Sequence, residues 1–572
     1  MRTDRFGRTF ALLAGVALVS CLICAPARAS SVPFVVTTYG ELLIYFSDLS
    51  TRGGLGMGVY RTYNSGDTYL MGRFGDAWIT GSESYIVVQA DGSIVIHEFG
   101  GGASNLFKPT SLGRRSATDI LDEIIRAAQM TGRFGSDADR ASYESWLQKD
   151  GNEENEWERY VGLGLIKPLD IPIGQTFFSS QFYTEYLTRV PEGYQRERRF
   201  PGGVYFQAFN EARKTNRWWD ANGDFIAIDL TKDGNWAGSS DNWGDRFTFS
   251  TTANGLVSGI SGSQHIVRYN YQDVAAPYNG SDLMSVDIDG KVTRYGYDAK
   301  NLLIAIWYAD NTTMHITYDD LGRVASVKDA DGTVTSYRYT MCATPASTQC
   351  AFEKDTRAPN GQTHSDVTAF SYDVGGHKDK DVETNDGAVI KTTAYDDKGH
   401  IASVTTPQGT TEFGYDYLDR VNFKRLPSGT TFAWQYDLVS RSVSIVTRTT
   451  KDGVVVEHFQ YDPKGNLVRA YDNDGHDFAI DHDPHGRVAS VGGGGVSLDF
   501  IFSDARATSP DSVTLDGVGS VSLSYDASGA VAKAQSAGGA AVVAKVRAAL
   551  QSVDNLIADA SFHVVTLPAG GP

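Results

Sequence analysis

Two clusters of acidic residues have the spacing of metal sites. Three histidines and five aspartates lie between Asp472 and His485, and imidazole nitrogens with carboxylate oxygens could hold a metal ion. The segment Asp220–Asp224 alternates oxygen ligands as a calcium loop does, but phenylalanine and threonine occupy its sixth and twelfth positions. Glycine and glutamate are required there. Hairpin turns explain both clusters better, so we expect no metal and no cofactor.

Aromatic residues are the second group with chemical potential. Trp218, Trp219, Trp236 and Trp243 lie in a stretch rich in glycine, asparagine and aspartate. Such rings could stack on sugars if they were exposed, whereas buried packing is the alternative. The sequence has no nucleophile elbow, phosphate loop or zinc-protease motif, and no carboxylate pair stands out. We therefore predict no catalytic residue, with glycan binding or hydrolysis as an alternative function.

Composition limits the class of protein. The 572 residues carry a net charge of −18, which argues against nucleic-acid binding because a basic surface is needed to displace counterions. The 60 glycines and 29 tyrosines favour short strands joined by tight turns.

The N-terminus has the pattern of an export signal. Arg2, Arg5 and Arg8 precede an apolar stretch, and Ala27-Arg28-Ala29 provides small residues for cleavage. We expect residues 1–29 to be removed and the protein to be periplasmic, on the cell surface or extracellular. Lipidation at Cys21 is the alternative. No later segment is long and apolar enough to span a membrane.

Cysteine usage is consistent with export. Cys342 and Cys350 are the only cysteines outside the signal, and they flank a short turn-rich loop. A disulfide between them is expected in an oxidising compartment. A two-thiol metal site is the alternative, but no histidine lies near in sequence.

A repeat organises the second half. Tyr-Asp pairs begin at 297, 318, 372, 395, 415, 436, 461 and 525, and close copies lie 20 to 25 residues apart. The third residue after the aspartate is usually glycine, and Asn301, Asp419 and Ser440 occupy that position elsewhere. Aspartate accepts backbone N–H bonds in turns, and glycine or asparagine tolerates a left-handed conformation. The predicted structural positions are Tyr297, Asp298, Tyr318, Asp319, Gly322, Tyr372, Asp373, Tyr395, Asp396, Gly399, Tyr415, Asp416, Tyr436, Asp437, Tyr461, Asp462 and Gly465.

Each unit is expected to contain two strands and two turns. Apolar and polar residues alternate with a period of two, as in 323–327 and 333–339. Stacked units predict a continuous antiparallel sheet, with the tyrosines on one face packing against neighbouring repeats. A packing residue is needed in every unit, so the Tyr-Asp positions are expected to be structural.

These residues resemble the YD-repeat, or Rhs, family. The match covers about residues 265–530, and Tyr318-Asp319-Asp320-Leu321-Gly322-Arg323-Val324 is similar to the family pattern. The resemblance implies a long β-sheet that curls into a partial or closed shell, which in toxin systems encloses a C-terminal effector. The segment Tyr60–Trp78 is similar to the region before the repeats in the same family.

The other segments give a domain division. We predict an N-terminal β-rich region over 30–262, a YD-repeat region over 263–530 and an Ala/Gly-rich tail over 531–572. A helical insertion is expected at about 114–165, with one helix over 118–130, and a C-terminal helix over 541–560. Residues 86–88 and 94–96 should form a hairpin across Asp91-Gly92.

The sequence favours an exported, non-enzymatic scaffold or shell for surface interaction or encapsulation. Its partners would be glycans, a protein or a cargo. Besides the glycan-directed alternative, a third interpretation is the vehicle of a toxin system whose effector is a separate chain or lost, because no ordinary toxin domain is visible after Gly529.

Overall fold

The computed structural model describes residues 33–36, 39–67, 71–98, 103–110, 116–149, 152–180, 184–200, 203–262, 264–273, 280–340, 350–373, 378–438, 440–526, 529–565 and 567. Within these residues the chain is mainly β, with one large antiparallel sheet, as predicted. The predicted signal, 1–29 with Cys21, lies outside the described residues.

A small N-terminal sheet comes first. Its strands in order are β1 (Phe34–Val35), β2 (Leu42–Ser50), β3 (Gly58–Asn64) and β6 (Trp78–Ile79), and the short strands β4 (Met71–Gly72) and β5 (Gly75–Asp76) pair with each other. Burial alternates along β2 and β3, so one face of this sheet is packed, with the buried ion pair of Arg61 and Asp48 among its apolar side chains.

The remaining strands form one large sheet, called here the repeat sheet. Its first half contains β7 (Tyr85–Val88), β8 (Ile94–Glu98), β9 (Ala103–Pro109), β10 (Thr176–Ser179), β11 (Glu185–Val190), β12 (Gly193–Phe200), β13 (Gly203–Asn210), β14 (Thr215–Asp220), β15 (Phe225–Leu230), β16 (Trp236–Asp241), β17 (Arg246–Thr251), β18 (Val257–Ser261), β19 (Ile266–Asp273), β20 (Ser281–Ile288), β21 (Lys291–Tyr297), β22 (Leu303–Trp307), β23 (Thr313–Tyr318) and β24 (Val324–Lys328). The predicted hairpin across Asp91-Gly92 is formed by β7 and β8.

The second half continues in chain order. It contains β25 (Val334–Thr340), β26 (Cys350–Arg357), β27 (Thr363–Tyr372), β28 (Lys378–Asn385), β29 (Ala388–Tyr395), β30 (Ile401–Thr406), β31 (Gly409–Tyr415), β32 (Val421–Arg425), β33 (Thr431–Tyr436), β34 (Val443–Thr450), β35 (Gly453–Tyr461), β36 (Leu467–Asp472), β37 (Asp477–His482), β38 (Val488–Gly493), β39 (Val496–Ile501), β40 (Ser512–Leu515), β41 (Gly519–Tyr525) and β42 (Val531–Gln535). Strand pairing continues from β17 through β18 to β19, across the predicted domain boundary at residue 262. The division into two regions there stays a prediction.

The repeat sheet is not closed by a ladder between its ends. Among the described residues β42 pairs only with β41, and β7 pairs only with β8. The other edge of β7 meets the connection between β13 and β14, through a bridge of Tyr85 with Lys214 and a 3.0 Å bond from Ile86 N–H to the Arg213 carbonyl. These contacts close a ring that contains only the strands from β7 to β13, and the ring encloses an apolar core of its own.

Three helices interrupt the sheet between β9 and β10, in the predicted insertion. They are α1 (Ala117–Met130), α2 (Asp137–Leu147) and α3 (Asn152–Gly162). Ser116 and Ser136 cap α1 and α2 by accepting N–H bonds from the third residue beyond each. Trp157 of α3 is buried and donates to the Val88 carbonyl at 3.0 Å, which fixes the helices to β7. The predicted C-terminal helix is α4 (Ala540–Ile557).

One face of the repeat sheet, the covered face, is packed by the two ends of the chain. The N-terminal sheet contributes Phe46, Tyr63 and Trp78 to a core shared with strands from β15 to β26. The C-terminal cap, residues 540–565 and 567, packs Val546, Leu550 and Val553 against strands from β34 to β42. These apolar contacts hold the N-terminal sheet and the C-terminal cap on the same face of the repeat sheet.

The sheet curls until distant hairpin tips meet, along a line called here the seam. His485 Nδ1 lies 3.1 Å from Asp224 Oδ1, and Arg506 donates to Asp245 at 2.7 Å. The Trp243 ring lies 4.6 Å from that of His485. Within the described residues no strand ladder crosses the seam, so side chains hold the curled form.

Candidate functional site

The repeat tyrosines join each unit to the one before it. Their hydroxyls donate to backbone carbonyls 14 to 18 residues earlier, for example Tyr318 to Leu303 at 2.9 Å and Tyr436 to Val421 at 2.6 Å. The carbonyl in each case opens the strand that follows the preceding Tyr-Asp turn. The same bond is made by Tyr339, Tyr415 and Tyr461. Tyr271, Tyr297 and Tyr525 donate to carbonyls at a similar distance along the chain, although no Tyr-Asp turn precedes those carbonyls. Tyr271 shows that the pattern extends before the first Tyr-Asp pair.

Burial raises the pKa of most of these phenols and so keeps them protonated as donors, namely Tyr271, Tyr297, Tyr318, Tyr339, Tyr415, Tyr461 and Tyr525. The pKa of Tyr525 rises to about 12, with desolvation as the main cause and the charge of Asp511 adding to it. Tyr395 departs from the pattern, since it donates to the Asp381 carboxylate at 2.6 Å. Tyr372 ends β27 and Asp373 follows it.

The repeat aspartates organise the turns. Asp416 Oδ1 accepts the N–H groups of Leu418 at 2.9 Å and Arg420 at 3.0 Å. The residue before Arg420, Asp419, has φ +61°, and Gly399 has φ +86° at the equivalent position. The same pair of N–H bonds is accepted by Asp298, Asp319, Asp396, Asp462, Asp472 and Asp483.

One turn is longer than the sequence predicts. Among the described residues of the turn after Asp437, Arg441 has a positive φ of +62°, and Ser440 does not take the left-handed position. The Asp437 N–H donates to the Ser442 carbonyl, five residues on, where the other turns use the residue four on. This copy of the turn therefore contains one extra residue compared with the others.

Sequence reasoning missed an arginine in three of the turns. Arg420 donates through Nε to Asp416 at 2.6 Å, and its guanidinium lies 4.2 Å from the centre of the Tyr436 ring in the next repeat. Arg323 lies in the same way between Asp319 and Tyr339. Arginine four residues after each aspartate was the available signal. The aspartate, arginine and following aromatic ring therefore couple neighbouring repeats.

The four tryptophans do not form one surface. Trp236 is buried against Phe74 and Phe249, and Trp218 packs on the core shared with the N-terminal sheet. Trp219 stacks on Phe206, whereas Trp243 lies in the seam. Ligand stacking by these residues stays a prediction.

The segment Asp220–Asp224 is a turn, and the second cluster consists of two turns, after Asp472 and after Asp483, joined by β37. Asp220 Oδ1 accepts three backbone N–H groups, from Asn222, Gly223 and Asp224. In the other cluster His476 Nδ1 lies 2.7 Å from Asp472. Among the described residues no three potential ligands come together as a metal site. The second cysteine, Cys350, is buried at the start of β26, while Cys342 lies outside the described residues, so the disulfide stays a prediction.

A cavity of about 320 Å³ lies between the N-terminal segment and the hairpin tips of β14 to β18. Glu83 lies in its wall, and burial, partly offset by the Arg73 N–H bond and charge, raises the pKa of that carboxyl to about 7. Burial also lowers the pKa of Lys214, whose amine lies 4.4 Å from the Tyr85 ring. Trp236 forms the apolar side. The cavity thus combines an acid, an amine and an aromatic wall.

The middle of the covered face has a different character from its ends. Between Phe352 and Val443 no described apolar side chain is fully buried. Direct cross-strand partners share a face, which places Thr368, Glu383 and Lys391 on the face of Phe370. Lys391 and Glu383 form an ion pair of 2.8 Å there. The same pairing rule adds the half-buried Val404 and Phe413, so this part of the face mixes charged, hydroxyl and apolar side chains.

Comparisons with known proteins agree with the repeat. Residues 318–341 match a family model described as RHS Repeat, so the resemblance to the Rhs family is confirmed on that segment. No curated protein matches the chain. None of the described helices is long and apolar enough to cross a membrane.

Solved structures give distant matches. "Crystal Structure of TcdB2-TccC3" aligns with 12% identity and a TM-score of 0.37, covering 94% of this chain and 34% of that one. "Crystal Structure of TcdB2-TccC3-Cdc42" aligns with 11% identity and a TM-score of 0.35, covering 93% of this chain and 38% of that one. This chain therefore spans little more than a third of their length. Similarity at this level carries no conclusion about what this chain binds.

Proposed function

We propose that this chain is an exported, non-enzymatic scaffold of the Rhs type, whose curled sheet forms the wall of a partial shell. The observation that carries the proposal is the series of tyrosine-to-carbonyl bonds, which repeats one structural contact from unit to unit. A catalytic group is needed once, whereas these contacts recur with the period of the repeat.

The middle of the covered face, where no described apolar side chain is fully buried, supports a role in holding another molecule. It lies between two apolar areas that the chain fills with its own ends, the N-terminal sheet and the C-terminal cap. A protein partner or cargo would meet charged and hydroxyl side chains there, as with Glu383 and Lys391. Association with a separate effector belongs to this proposal.

A low-resolution envelope of the exported protein, together with co-purification from its native host, tests the scaffold function. We expect a curled particle with an internal space and a co-purifying protein. A flat or extended envelope would contradict the shell. Hydrolysis of a mixed panel of substrates by the purified chain would contradict the non-enzymatic part.

Export is tested separately. N-terminal sequencing of material outside the cytoplasm should begin at Ser30. A lipid-modified Cys21 as the first residue would make the protein a lipoprotein, and retention in the cytoplasm would overturn export.

The cavity beside Glu83 favours a second candidate function, binding of a small glycan. Trp236 offers an apolar wall, and Glu83 and Lys214 offer polar groups, which is the usual lining of a ligand pocket. A glycan array with wild type and Glu83→Gln tests it. Binding that is lost in Glu83→Gln supports the candidate, and an empty array removes it.

A further inference from the structure

Two acidic side chains meet where the C-terminal cap rests on the repeat sheet. Glu457 lies in β35 and is 1% exposed. Asp559 lies in the short 3-10 turn that follows α4. Direct cross-strand pairing places Trp434, Val446 and Glu457 in one row, and Trp434 Nε1 donates to the Asp559 carbonyl, so Asp559 lies over the row that contains Glu457. Among the described residues, no hydrogen-bond donor reaches Glu457 Oε2 or Asp559 Oδ2, and both atoms are buried.

Two carboxylates cannot hydrogen-bond to each other, since both are acceptors. A proton held by one member of the acid pair while the cap is docked would turn that carboxyl into a donor and satisfy both buried oxygens. Apolar contacts of α4 surround the pair, and Trp434 Nε1 donates to the Asp559 carbonyl at 3.2 Å. The proton is thus enclosed at the junction between cap and sheet.

Charges on each neighbouring element act on this proton. From β34, Arg448 lies 3.2 Å from Glu457 Oε1 and favours the ionised form. From β36, Asp472 is the direct cross-strand partner of Glu457 and favours the protonated form. From α4, Arg547 has a buried Nε, and within the described residues it forms no ion pair with either acid. One cation, Arg448, therefore favours the ionised form of Glu457, and two carboxyl groups, those of Asp472 and Asp559, favour its protonated form.

Burial, followed by the charge of Asp559, raises the pKa of Glu457 to about 8. Once the cap leaves, Glu457 faces water and its pKa returns toward the ordinary value of about 4.3. Undocking then releases a proton between these two values. Because the pKa of Glu457 is raised while the cap is docked, protonation stabilises docking fully at a pH below about 4.3. This stabilisation is lost as the pH rises through about 8.

We propose that the Glu457–Asp559 pair makes docking of the C-terminal cap depend on pH, so that acid conditions hold the cap on the sheet and alkaline conditions loosen it. This device goes beyond the scaffold function. Undocking would expose the apolar strip that Val546, Leu550 and Val553 cover, which would change what the covered face can bind.

Hydrogen exchange of the full chain, corrected for the intrinsic effect of pH on exchange, tests the proposal. Protection of α4 in wild type should fall by up to tenfold for each pH unit between about 5 and 8, and then level off. Glu457→Gln carries the neutral form permanently and should show little dependence on pH. Asp559→Asn should behave similarly, and it provides a second variant if Glu457→Gln fails to fold.

Glu412→Gln is the matched control, because Glu412 forms an exposed ion pair with Arg425 on the same sheet. Protection of α4 in Glu412→Gln should depend on pH as it does in wild type. Protection of α4 that does not change with pH in wild type would overturn the proposal. An equal fall in wild type, Glu457→Gln and Asp559→Asn would overturn it as well, since the pair would then not be the cause.

Discussion

Each repeat tyrosine combines an apolar ring with one directed hydrogen bond, and the two contributions can be separated. Tyr415→Phe keeps the ring on His400 but loses the 2.9 Å bond to the Ile401 carbonyl. We expect a loss of about 1 kcal/mol in the free energy of unfolding, measured in urea. Tyr417→Phe is the control, because Tyr417 is 78% exposed. An equal loss in both variants would contradict the role of the hydroxyl.

The repeat aspartates should differ in importance according to the residue four positions on. Asp416 bonds two backbone N–H groups and Arg420, whereas Asp298 bonds only the N–H groups of Lys300 and Leu302 among the described contacts. Asp298→Ala should lower the free energy of unfolding by about 1 kcal/mol. Asp416→Ala should lower the free energy of unfolding by about 3 kcal/mol, because the Arg420 side chain, which is 5% exposed, loses its anionic partner. Thermal melts of both variants measure the two losses of stability. Equal losses would show that the ion pair of Asp416 with Arg420 adds nothing to the stability of the fold.

The turns between strands require a left-handed residue at one position. Gly399 has φ +86° and open space where an added methyl group would lie, so Gly399→Ala tests the backbone alone. We expect a loss of about 1 kcal/mol. Gly492→Ala is the control, because Gly492 lies in β38 without a positive φ and also has open space. Chemical denaturation should show a loss only in Gly399→Ala, and tolerance of both changes would mean that the turn adapts.

The strand elements were predictable from the sequence because their signals are local. The period of Tyr-Asp pairs, the alternation within 323–327 and the turn residues all act within one unit. The helix over 117–130 was predictable for the same reason, since Ile120, Ile124 and Ala128 lie on one face. The extra residue at Arg441 was missed, because Ser440 fits the repeat spacing and only the backbone shows the shift.

Contacts between distant elements had no local signal. Glu457 and Asp559 lie far apart in the sequence, and nothing in either segment indicates that the two acids meet. The same is true of His485 and Asp224 at the seam, which depend on how far the whole sheet curls. The sum of many small strand twists sets that curl, so sequence patterns predicted a sheet without predicting which tips would touch.

At the scale of the whole molecule, the seam decides whether the curled form stays closed. Arg506 joins Asp245 and the Trp243 carbonyl across it, at 2.7 and 2.8 Å. The pair is partly exposed, so a double-mutant cycle of Arg506→Gln and Asp245→Asn should give a coupling of about 0.5–1 kcal/mol. Since salt screens exposed charges, the seam should also weaken as ionic strength rises.

Small-angle scattering checks this prediction. The radius of gyration of Arg506→Gln should exceed that of wild type, and wild type should approach it in high salt. Arg425→Gln is the control, because Arg425 pairs with Glu412 on the adjacent strand and not across the seam. It removes a similar exposed ion pair without affecting the curl, so it should scatter like wild type. If Arg506→Gln and Arg425→Gln scattered identically at every salt concentration, apolar packing of the N-terminal sheet alone would account for the curled form.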